Sequence, residues 1–145
     1  MKLKKFKIYL RAIKAYCKAV NIKLIPVRGF EGCGEYDPNR RVIKYDNTLS
    51  NSDIISTLLH ELGHYLDDLR NPNKYAGAHH YYGRTRLERN YVYLTVNQKQ
   101  VLFSTETEAW DNAEAIAKQL KIPLGNWFKK DKISSLNTYR SIRVY

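Results

Sequence analysis

The stretch that most restricts the fold is STLLHELGHYLDD, Ser56 to Asp68. Ile54, Ile55, Leu58, Leu59, Leu62, Leu66 and Leu69 recur at helical spacing, so this segment predicts a helix with one buried side. Residues four apart on a helix lie one above the other. His60 and His64 therefore project two imidazoles from one face, in a chain that holds only four histidines. At this composition H-E-x-x-H arises by chance in about one shuffled chain in two hundred. That favours a built metal site over two histidines that merely pack on a helix. Gly63 points the same way: glycine inside a helix costs about 1 kcal/mol relative to alanine, and close approach of another chain segment would be a reason to carry it.

Two imidazoles so placed suit tetrahedral zinc, which also needs a third protein ligand and an open position for water. Glu61, one step around the helix, is placed to act as general base on that water, whose pKa zinc brings towards neutrality. Several residues could complete the ligand set. Asp67 and Arg70 stand three and six residues after His64, where the metzincin pattern requires Gly and His, which excludes that class. His79 and His80 are adjacent residues in an irregular segment and read better as surface or pocket lining. In STETEAWDNAEAIAKQL, Glu106 shares a helix face with Ala109, Trp110, Ala113, Ala117 and Leu120, whereas Glu108 lies with Asp111, Asn112 and Gln119 on a polar, solvated face. A ligand must point inward, and the alanine stripe lets two helices approach closely. Glu106 is therefore preferred to Glu108.

Around these segments the chain reads as α+β. Phe6, Leu10, Ile13, Cys17 and Val20 mark an amphipathic helix over 4–20. IKLIPVRG predicts a strand, and GEYDPNRRVIKYD a strand, a turn at DPNR and a second strand. Ser50, Asn51 and Ser52 are candidate caps for the histidine-bearing helix, which RNPN ends. Thr95 and Gln98 form a capping-box pattern for a helix to about Leu120, ended by Pro123 and Gly125, with a hairpin over YVYLTVNQKQVLF as the competing reading of its start. NWFKKDKISSLNTYRSIRVY predicts a final short helix. No repeat or linker is visible, and 1–145 reads as a single domain.

HELGH followed by a glutamate on a later helix resembles the gluzincin group of zinc metallopeptidases. The element order is similar to the minimal gluzincins, including the ImmA/IrrE family of mobile-element and stress-response peptidases. The resemblance covers roughly residues 20 to 120 and implies a zincin-like fold, with zinc on His60, His64 and Glu106 and with Glu61 as catalytic base. It further implies an extended protein or peptide substrate added along the strand RRVIKYD, and a regulatory role such as cleavage of a repressor of the same phage or mobile element. That family shows E-x-x-A-N on its second helix. This chain has ETEAW, which supports Glu106 but places Trp110 where Asn or Asp is usual. The departure leaves open what orients the ligand histidines, for which Asp67 and Asp68 are candidates. Tyr75, Tyr81, Tyr82, His80 and Arg84 are candidate donors to the oxyanion.

The formal net charge of +11 favours acidic partners without choosing among them. Lys4, Lys7, Arg11, Lys14 and Lys18 form a one-sign stripe on the first helix. The bland reading is a solvated outer face. The rival function is a nucleic-acid-associated module on the same scaffold, or a SprT-like protease of DNA-bound proteins, an option weakened because two cysteines cannot form a zinc ribbon. A hydrolase of cell-wall crosslinks is chemically allowed but favoured by nothing. No apolar run approaches a membrane span, and lysines and arginines interrupt the N-terminal apolar residues that a secretion signal would need. Cys17 and Cys33 read as reduced core residues, and the expected location is cytoplasmic.

Overall fold

The computed structural model describes residues 1–72 and 94–144. Among them the chain is α+β, with four helices and a three-stranded sheet. In chain order these are α1 (Leu3–Ala19), β1 (Lys23–Val27), β2 (Gly34–Asp37), β3 (Val42–Asp46), α2 (Asn51–Arg70), α3 (Val96–Gln119) and α4 (Asn126–Arg140).

The helix ends follow from local chemistry. The Ser50 hydroxyl accepts from the Asp53 N–H and opens α2, with Asp53 in the positive first turn. Thr95 and Gln98 form the full reciprocal capping box of α3, so Val96 to Phe103 are helical and the hairpin reading fails there. In the DPNR turn the Asp37 carboxylate accepts from the Asn39 and Arg40 N–H groups.

The sheet order is β1-β3-β2. β3 pairs in parallel with β1, Ile43 opposite Leu24, and antiparallel with β2, Ile43 opposite Tyr36. This corrects the expectation that RRVIKYD offers an edge to a substrate: both edges of β3 carry ladder hydrogen bonds. Among the described residues β1 and β2 are each bonded on one side only, and of the two it is β2 whose first residue lies over Glu61 of α2.

One core joins the layers. Ile13 and Cys17 of α1, Tyr36 and Ile43 of the sheet, Ile55, Leu58, Leu59 and Leu62 of α2, Trp110 and Ala113 of α3, and Phe128 of α4 pack in a single buried cluster. Two core assignments need correction. Leu69 is exposed in the last turn of α2, and Cys33 is exposed with positive φ in the loop before β2.

Candidate metal centre

α2 is the central element, and two glycines set how closely its neighbours lie on it. A Cβ on Gly63 would stand 1.9 Å from the Ala109 carbonyl oxygen, so α3 crosses α2 with its backbone against this glycine. The Asn112 side-chain amide donates to the Gly63 carbonyl at 3.1 Å, while its oxygen accepts from Arg70. Asn112 thus clamps the crossing rather than sharing the solvated face of Glu108 and Asp111. On the other side, a Cβ on Gly34 would stand 2.5 Å from Thr57 Cγ2 and 3.2 Å from Glu61 Cγ, so β2 starts directly over the glutamate.

This crossing brings the two histidines and Glu106 together. His60 Nε2 lies 3.1 Å from His64 Nε2 and 3.0 Å from Glu106 Oε2, and His64 Nε2 lies 3.2 Å from Glu106 Oε1. Three donors bound at 2.0–2.1 Å to a common tetrahedral ion stand about 3.3 Å apart. The spacing is close to that of donors able to share one ion. His64 and Glu106 are 2 % exposed and His60 8 %. Glu106 Oε2 makes no hydrogen bond by geometry despite its short distance to His60, as when nitrogen and oxygen aim at a shared space rather than at each other. Among the described residues these three form the one cluster able to hold a metal ion. Glu108 is exposed and outside it.

The electrostatics agree. Burial opposes the charged form of Glu106, yet the neighbouring imidazoles, His64 foremost, outweigh it and hold the carboxyl well below the usual range. Burial likewise opposes imidazolium at His64, but Glu106, Glu61 and Asp67 raise its pKa overall. A buried carboxylate whose charge is opposed only by imidazoles gains from a cation between them. Glu61 differs: burial pushes its pKa up, against the pull of His64 and His60, and its carboxylate accepts from the Tyr36 backbone N–H of β2. Of the two proposed orienting carboxylates, buried Asp67 acts on His64, whereas Asp68 interacts with Arg41 and Tyr36.

A cavity of about 340 Å³ opens on the cluster, lined by His60, Glu61, His64, Glu106 and Trp110 and bounded by Gly34, Thr57 and the α4 residues Asp131, Ser135 and Thr138. Sequence reasoning gave α4 no role at the site. Its small polar side chains carry no signal of one. The Trp110 ring stacks on the His60 imidazole, centroids 4.3 Å apart and planes 27° apart. The proposed oxyanion donors Tyr75, Tyr81, Tyr82, His80 and Arg84 lie outside the described residues, as does His79. No helix among the described residues is long and apolar enough to cross a membrane. Comparison with protein-family models, curated proteins and solved structures gave no match.

Proposed function

We propose that the protein is a zinc-dependent metallopeptidase of the minimal gluzincin type. The observation that carries this reading is the buried His60–His64–Glu106 cluster at tetrahedral spacing, with Glu61 facing the same cavity. The two imidazoles and the carboxylate would hold the ion. Bound zinc supplies Lewis acidity to a substrate carbonyl and lowers the pKa of water in its open position. Glu61, raised in pKa by burial, is suited to take a proton from the attacking water and to return one to the leaving amine. The Tyr36 N–H fixes that carboxylate against β2, so the base and the open strand edge share one support. An extended peptide adding to β2, rather than to β3, would pass beside Glu61. Cleavage of a repressor of the same phage or mobile element remains the biological role suggested by family resemblance.

The test is metal content of purified protein beside single variants. Wild type and Glu108→Ala should retain one zinc per chain, His64→Ala and Glu106→Ala should lose it, and Glu61→Gln should keep the metal but lose peptide hydrolysis. Zinc retained without Glu106 would overturn the ligand assignment.

A second reading, nucleic-acid association, rests on α1. Lys4, Lys5, Lys7, Arg11, Lys14 and Lys18 are all exposed, and the helix carries no acidic residue. Lys4 to Lys18 span about 21 Å on the face opposite the core. Fluorescence anisotropy with a labelled oligonucleotide should show binding that weakens steeply with salt and is lost in Lys7→Glu/Arg11→Glu/Lys14→Glu. Undetectable binding at low salt removes this reading.

A further inference from the structure

Metal-ligating histidines ordinarily donate the ring N–H that faces away from the metal to a carboxylate, a carbonyl or water, which fixes the plane of the ring. His60 departs from this. Its Nε2 belongs to the cluster with His64 and Glu106, but its Nδ1 is buried without a hydrogen-bond partner among the described residues. In place of an acceptor it has an indole. Trp110 lies one helical turn after Glu106, is 3 % exposed, and stacks on the His60 ring. The indole is itself held. Trp110 Nε1–H donates to Ser135 Oγ at 3.3 Å, and the ring meets the Phe128 ring edge-on at a centroid distance of 5.3 Å. Both partners sit on α4.

We infer that Trp110 is the positioning residue of the His60 ligand, fixing the imidazole plane by stacking where a hydrogen bond to Nδ1 would otherwise do so. This rests on the metal-site reading above. A flat, immobile surface 4.3 Å from the imidazole restricts rotation about χ2, the freedom that a second hydrogen bond removes at other metal-bound histidines. It does so without placing negative charge on the ring. His60 is kept flat against an aromatic plane anchored through Ser135 and Phe128. α4, which supplies none of the three ligands, thereby takes part in forming the site.

The experiment compares Trp110→Phe, which keeps a flat ring, with Trp110→Leu, which keeps bulk but has no plane. Zinc affinity is read by competition with a chromogenic chelator, and ligand geometry by the visible bands of the Co²⁺-loaded protein. Trp110→Phe should stay within about 3-fold of wild type, and Trp110→Leu should lose roughly 10- to 100-fold with altered Co²⁺ bands. Equal affinity and unchanged bands in both variants would overturn the inference while leaving the metal site standing. Absence of metal from wild type would overturn both. A measurement independent of how Trp110→Leu folds uses Trp127→Phe, which leaves Trp110 as the single tryptophan of the chain. One equivalent of Co²⁺ should quench its emission, and emission indifferent to bound Co²⁺ would refute the stack.

Discussion

At Gly63 two effects of known size oppose each other. Alanine would improve helix propensity by about 1 kcal/mol, but its Cβ would meet the Ala109 carbonyl oxygen at 1.9 Å, and a backbone oxygen cannot turn aside. Overpacking of this kind costs about 1–3 kcal/mol and more where backbone must shift. Steric cost wins, and the shift it forces separates His60 and His64 from Glu106. Gly63→Ala should therefore lower the urea midpoint and weaken zinc binding together; a variant as stable as wild type would contradict the crossing. Gly34 offers a milder contrast, because its nearest obstacle is the methyl of a side chain, Thr57 Cγ2. Gly34→Ala should be destabilised, and Thr57→Ser, which deletes that methyl, should recover part of the loss in the double variant. Additive losses measured by urea denaturation would show that the strand, not the side chain, is the obstacle.

At the scale of elements, α2, α3 and their caps were legible because each rests on local chemistry: a leucine period, Ser50 at one start, Thr95 with Gln98 at the other. Glu106 could be separated from Glu108 because a helix face is a local property too. Strand order was not legible. Val42 to Asp46 present the same alternation whether a strand is central or at an edge, and only the docking of the β2–β3 hairpin against β1 makes β3 central. The joint between α2 and α4 was equally hidden, since it pairs residues 75 apart. There the Ser56 hydroxyl donates to the Asp131 carboxylate, which also shares a hydrogen bond with Asp53. Burial first, and then Asp53, raise the Asp131 pKa above its ordinary 3.8. The folded state thus holds a proton that the unfolded state releases. The stabilising contribution is present below about pH 4 and lost as pH rises through the folded value. Asp131→Asn keeps an acceptor for Ser56 and gains a donor for Asp53. Its urea midpoint should match or exceed that of wild type at neutral pH, by less than about 1 kcal/mol at a half-exposed site, with a flatter profile above pH 4. A clear loss of stability at neutral pH would mean that Asp131 is needed as an anion.

For the whole molecule the governing quantity is charge of one sign. The net charge is +11, and the Lys/Arg–carboxylate ion pairs among the described residues are few and exposed: Arg40 with Asp37, and Lys132 with Asp111 and Glu114. Exposed pairs contribute about 0–1 kcal/mol each. Repulsion among the cations of α1 acts in the opposite direction, with no acid on that helix to offset it. Raising ionic strength from about 0.01 to 0.15 M shortens the Debye length from about 30 to 8 Å, so it weakens repulsion between cations one to several turns apart along α1. Both terms shrink with salt, but repulsion is the larger, because 25 cations stand against 14 carboxylates. The midpoint of urea unfolding should therefore rise with sodium chloride over this range. Arg11→Glu, which moves the net charge to +9 and places an acid between Lys7 and Lys14, should raise the midpoint at low salt and reduce its dependence on salt. A midpoint that falls with salt in wild type would mean that the few ion pairs outweigh the unpaired surface, and that the basic face of α1 is not under electrostatic strain in the free protein.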